Sequence, residues 1–148
     1  MAENLSANEL LIFEHNTGEY PVLTLAYMGD AVLEMLAREY VLKNAGVVKP
    51  GQLVKASKEF ITCEAQSDAV ENILPLLSAE EEAVFKRGRN AKTQCTPKHG
   101  ELIQYRRATG FEALMGYLYL NGNHSRAKEL FLAAYNGKLG VRSEELGV

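Results

Sequence analysis

Two carboxylates stand where the sequence around them is built for a core. Asp30 follows Gly29 inside the stretch Leu25-Ala-Tyr-Met-Gly-Asp-Ala-Val-Leu-Glu-Met-Leu-Ala-Arg-Glu-Tyr40, and Glu112 lies within Thr109-Gly-Phe-Glu-Ala-Leu-Met-Gly-Tyr-Leu-Tyr-Leu120. Leu25, Met28, Val32, Leu33, Met35 and Leu36 cover well over one face of the first helix. A lone carboxylate in such a stripe costs several kcal/mol to bury unless it is paired, hydrogen-bonded or bound to a cation. Two of them on two core-type helices are candidates to meet. Together they would suit Mg²⁺, which keeps several waters and needs only one or two protein carboxylates. Glu34 lies one helical turn beyond Asp30 and Ala26 one turn before it, and Thr109 shares the face of Glu112. The plain alternative is a pair of half-exposed carboxylates, or structural bridges to Lys or Arg, and periodicity alone favours that alternative.

A second group of residues carries charge. The 148-residue chain has a net charge of −3, which taken alone argues against a nucleic-acid partner. Yet Lys86, Arg87, Arg89, Lys92, Lys98, Arg106 and Arg107 face a single acid, Glu101, so residues 86–107 carry +6 and the remainder −9. A concentrated basic segment on an acidic body is the footprint of a polyanion. Lys86 and Arg87 could simply complement the C-terminal dipole of a helix. Arg89, Asn90, Lys92 and Lys98 continue past that end, and Gly88 would let the backbone come close to a phosphate. Other catalytic classes lack their residues. His15, His99 and His124 have no metal spacing, and there is no G-x-S-x-G, Walker loop or C-x-x-C. Tyr27, Tyr105, Tyr117 and Tyr119 read as packing residues.

The elements that must position these groups are helical. The apolar fraction is 47% and the charged fraction 24%, ordinary for one globular domain with a real core. No apolar run reaches the ~20 residues of a membrane span, and no secretory signal is evident. Cys63 and Cys95 lack metal spacing and read as reduced thiols of a cytoplasmic protein. Residues 1–18 are expected to be weakly structured, 19–136 to form the domain, and 137–148 to be a Gly-rich flexible tail. A long helix is expected from Pro21 to about Gly46, then a loop at Lys49-Pro-Gly51. Two helices broken near Thr62 should follow and end around Pro75. Ser78-Ala-Glu-Glu81 is a capping box opening the next helix. Residues 91–100 read as a polar loop, 101–120 as the helix of Glu112, and 125–135 as a last helix. Period-2 alternation is absent over any useful length, so the fold class is all-α, a single domain of six or seven helices.

These residues carry a family resemblance. Tyr27-Met-Gly-Asp-Ala-Val-Leu33 resembles the Phe-Leu-Gly-Asp-Ser/Ala-Val-Leu core of the ribonuclease III signature helix. Phe111-Glu-Ala-Leu-Met-Gly-Tyr-Leu-Tyr119 resembles that family's second acidic helix. The length, the lack of a double-stranded-RNA-binding domain and Phe85-Lys-Arg-Gly-Arg-Asn-Ala-Lys92 are similar to the Mini-ribonuclease III branch. The resemblance spans about residues 22–135. It implies an all-helical endonuclease domain that forms a homodimer through the signature helix. It implies Mg²⁺-dependent cleavage of double-stranded RNA to 5′-phosphate and 3′-hydroxyl ends, with 23S ribosomal RNA precursor as the substrate of this branch. Asp30 and Glu112 match the metal-binding catalytic acids of the family. Two other acidic positions are changed, to Ala26 and Thr109, which points to one well-held Mg²⁺ and a second recruited by the RNA phosphate. Thr109 and Glu34 are then supporting residues, and Lys86, Arg87, Arg89, Asn90, Lys92 and Lys98 the grip on RNA. The rival is a catalytically silent ribonuclease III-like protein that binds structured RNA. A protein-interaction module is a more distant third reading, disfavoured by the basic segment.

Overall fold

Prolines, glycines and short polar caps divide the chain into six α-helices in the computed structural model, which describes residues 10–46, 48–92 and 99–136. They are α1 (Val22–Ala45), α2 (Pro50–Ile61), α3 (Cys63–Glu71), α4 (Ala79–Arg89), α5 (His99–Leu120) and α6 (His124–Ala134). Short 3₁₀ turns at Thr17–Glu19 and Leu74–Leu76 complete the regular structure, and no strand occurs among the described residues. Helix α1 follows Pro21 and stops at Gly46, whose φ of +67° ends the helix at a value favouring glycine. The expected loop at 49–51 is corrected. Pro50 and Gly51 form the first turn of α2, where a missing N–H costs nothing, and the Gln52 side chain accepts from the Lys49 N–H at 3.2 Å. The break at Thr62 is real, and its hydroxyl caps α3 through the Ala65 N–H at 3.1 Å. The capping box at Ser78 and Glu81 forms in both directions, at 3.2 and 2.8 Å. Helix α5 begins at His99, two residues earlier than its apolar pattern indicates.

Helix α5 is the axis of the domain, with α1, α3 and α4 packed along it, α2 packed on α1 and α3, and α6 touching α5, α1 and α3. Phe60, Phe85, Phe111, Leu33, Leu114 and Met115 are among the fully buried side chains. Burying each contributes about 1.5–3 kcal/mol. Glu81 at the start of α4 pairs with Arg126 of α6 at 2.9 Å, and Arg126 also donates to the Leu76 carbonyl. The α1 face departs from expectation at Met35, which is exposed rather than packed in the core, and Met28 is only half-buried. Among the described residues no helix is long and apolar enough to cross a membrane.

Candidate active site and nucleic-acid interface

The α1–α5 crossing brings the two carboxylates together, and glycines set its closeness. A Cβ on Gly29 would fall on the Glu112 carbonyl, and one on Gly116 would fall on the Leu25 carbonyl and 2.9 Å from the Gly29 nitrogen. The two backbones are therefore in contact, and Asp30 and Glu112, each beside that contact, project from neighbouring helices at one place. The premise that Asp30 is the buried acid is corrected: Asp30 is exposed and Glu112 is half-buried. Burial first, then the charge of Asp30 and a hydrogen bond with it, push the Glu112 carboxyl up to about 8. So Glu112 keeps its proton near neutrality when no cation is present. Neither acid forms an ion pair with Lys or Arg among the described residues, which removes the structural-bridge alternative there.

The supporting residues separate. Thr109 is buried and its hydroxyl donates to the Tyr105 carbonyl at 2.9 Å, leaving only its lone pairs for other partners. Ala26 is buried in an apolar cluster with Leu25, Val84, Ala113 and Leu120. Glu34 turns to Arg38 at 2.6 Å, on the outer side of α1. Among the described residues no three His, Cys, Asp or Glu gather. The donor set offered to a cation is therefore Asp30 and Glu112. Two adjoining carboxylate groups, one open to water and one disfavoured as a bare anion, fit a hard divalent ion that retains most of its waters. The sequence gives no signal for a third residue near them. Tyr135 is buried, donates to the Phe60 carbonyl at 2.6 Å and lies close enough to Glu112 that burial and that charge push its hydroxyl upward.

The basic segment is less uniform than its composition indicates. Lys86 pairs with Glu82 at 3.0 Å, and Arg107 pairs with Glu71 of α3. Arg89 donates to Asn90 at 3.2 Å and its guanidinium lies 5.8 Å from the centre of the Phe85 ring. Arg87 and Lys92 are exposed and form no ion pair among the described residues. Lys98 lies outside the described residues. Gly88 does not offer its backbone to a phosphate: it is buried against α5, where an added Cβ would meet Ala113 at 2.8 Å and Gly110 at 2.9 Å. It serves instead to seat α4 on the helix that carries Glu112, so the C-terminal end of α4, with Arg87 and Arg89, is tied to α5.

Comparisons with known proteins point to one family. The family model described as "Ribonuclease III domain" matches residues 23–123. A Mini-ribonuclease 3 of Brevibacillus brevis is 42% identical over 113 residues, covering 76% of this chain and 84% of that protein. A Mini-ribonuclease 3 of Thermoanaerobacter sp. is 44% identical over 110 residues, covering 73% and 75%. Among solved structures, a protein of Fusobacterium nucleatum superposes with a TM-score of 0.69 at 29% identity, covering 81% of this chain and 95% of that one.

Proposed function

The chain belongs to the ribonuclease III family, in its Mini-ribonuclease 3 group, and is an endoribonuclease of that type; from that premise we propose that it cuts double-stranded RNA at Asp30 and Glu112 with Mg²⁺ as its metal. The observation that carries this reading is the pairing of Glu112 with Asp30 across the α1–α5 backbone contact. A divalent ion held there supplies Lewis-acid stabilisation of the charge that builds on the phosphate and activates water as the nucleophile. Asp30 and Glu112 would hold that ion in place. Water adds to phosphorus and the P–O3′ bond breaks, leaving 5′-phosphate and 3′-hydroxyl ends, with the water's protons passing to the departing oxygen and to solvent. With Ala26 and Thr109 offering no carboxylate, Asp30 and Glu112 would hold one ion by themselves, and a second would need the RNA phosphate as a ligand.

Arg87, Arg89 and Lys92, with Lys86 and Lys98, grip phosphates along the duplex, and Asn90 ends α4 at that point. Duplex RNA is recognised by its shape and backbone, so a surface with few base-edge readers is adequate. The protein acts in the cytoplasm as a homodimer through the exposed outer face of α1, where Leu23, Tyr27, Met35 and Leu42 are large and unburied. Its physiological substrate is 23S ribosomal RNA precursor.

The test is incubation of end-labelled duplex and single-stranded RNA with the purified chain in Mg²⁺ and in chelator. Cleavage of the duplex alone, dependent on Mg²⁺ and abolished by Asp30→Asn and Glu112→Gln, is the expected result. Duplex binding without cleavage, or cleavage insensitive to both substitutions, would overturn the reading.

A further inference from the structure

Residues 10–13 lie against the first turns of α1 and leave an unusual amount of apolar surface open. The arm is pinned by a 2.8 Å hydrogen bond between His15 Nδ1 and the Tyr20 hydroxyl, and by Thr17 donating to Asn121 at 3.1 Å. The Phe13 ring lies tilted against the His15 ring, with centroids 4.2 Å apart. Held this way, Ile12 remains 96% exposed and Phe13 60%, beside Tyr27 at 77%. Between arm and helix is an apolar hollow of about 410 Å³, floored by Tyr20, Thr24, Met28 and Tyr119. A second, more open hollow of about 510 Å³ lies further along α1 at Ala31, Met35, Arg38 and Leu42. Met35 and Leu42 stand out from it, 53% and 62% exposed.

The two halves of this face complement one another about Ala31. Tyr27 and Met35 each lie four residues from this small exposed side chain, so each is about 6 Å from it along the axis at 1.5 Å per residue. Two copies of α1 crossing antiparallel at Ala31 would set Tyr27 against Met35 of the partner subunit. Leu42 is about 16 Å from Ala31 on the same measure. Leu42 of the partner subunit would then reach the level of Tyr20, at the mouth of the arm's hollow. The protruding residues of one half thus match the hollow of the other, the self-complementarity that a two-fold interface needs. The Glu34–Arg38 pair supplies a polar edge.

We propose that the N-terminal arm at residues 10–13 clasps the C-terminal half of α1 from a second copy of this chain, so that the hollow of each copy is filled by Met35 and Leu42 of its partner. This rests on the α1 dimer proposed above and adds to it a second element that fixes the crossing. The experiment uses full-length chains with Cys63→Ser and Cys95→Ser. One carries Ile12→Cys and the other Leu42→Cys, and they are mixed and oxidised. A disulfide between the two different chains is expected. In parallel, sedimentation is run on Met35→Asp, Ile12→Asp and Phe13→Asp, with circular dichroism to confirm that each is folded. Met35→Asp should be monomeric at micromolar concentration, and each arm variant should weaken dimerisation at least tenfold. If Met35→Asp remains a dimer, the α1 interface fails and the arm with it. If Met35→Asp dissociates while both arm variants keep wild-type affinity, or the mixed disulfide does not form, the arm alone is refuted.

Discussion

Replacing Glu112 by glutamine should stabilise the metal-free protein, by an amount that grows with pH. The folded carboxyl is held at about 8 against an ordinary 4.5. Between these values the folded chain keeps a proton that the unfolded chain has lost. Wild-type stability therefore falls as pH rises through this window, is intact below about 4.5, and reaches its full loss above about 8. The gap of about 3.5 pH units corresponds to roughly 5 kcal/mol at 1.36 kcal/mol per unit. Solvent reaches the half-buried Glu112 and screens its charge, so the observable part should be nearer about 2 kcal/mol. Glutamine keeps the shape and removes the titration. Denaturant unfolding in chelator should find the two proteins alike at pH 5 and the variant about 2 kcal/mol more stable at pH 8. Saturating Mg²⁺ should reverse the order by stabilising wild type alone, because only the folded wild type binds it tightly. A variant less stable than wild type at pH 8 would refute this reasoning, since it would mean that the Glu112 charge has a cationic partner.

Other perturbations follow from the same contacts. Arg126→Ala strands buried Glu81, whose carboxyl the Arg126 bond holds below its ordinary value; it should cost about 3–5 kcal/mol near pH 7, and acid denaturation should show the difference fading as pH falls through the lowered value. Tyr135→Phe removes the buried 2.6 Å hydrogen bond to the Phe60 carbonyl and should cost about 0.5–1.5 kcal/mol by thermal melting. Arg87→Gln and Lys92→Gln should each reduce the log–log salt slope of duplex binding by roughly one unit, whereas Lys86→Gln, already paired with Glu82, should reduce it by less; equal slopes in all variants would assign the segment to solvent. Gly29→Ala places a methyl on the Glu112 carbonyl, and soluble yield and melting should show a loss of several kcal/mol, well beyond ordinary helix propensity.

Helix boundaries were legible where a local device sets them. Ser78 with Glu81, Thr62, Pro21 and Gly46 act within a turn of their own position, and each ends or opens a helix where its chemistry requires. Pro50 opens α2 although its sequence equally suits a loop, because proline marks loops and helix starts alike and the Lys49–Gln52 bond settles it for the helix. Which acid would be buried could not be read from apolar neighbours. Asp30 sits among large side chains in sequence, but its direction around α1 points it outward, while Glu112 faces the crossing. The partner of Arg107 was equally hidden, because Glu71 meets it only through the packing of α3 on α5. Glu82 and Lys86, by contrast, stand four residues apart on α4, a pairing that the spacing itself offers.

The two changed acidic positions explain why so short a donor set is a stable arrangement. At Ala26 the surroundings are Leu25, Val84, Ala113 and Leu120, an apolar cluster in which a carboxylate would lose its water without gaining a cationic partner. At Thr109 the hydroxyl is satisfied by its own helix through the Tyr105 carbonyl. Neither position asks for a metal. The electrostatic demand is confined to Glu112, beside Asp30 at the glycine-set contact of α1 with α5. A divalent ion held there would answer that demand by taking the place of the proton that Glu112 otherwise keeps, and the solvent-exposed position of Asp30 would leave room for a phosphate to approach.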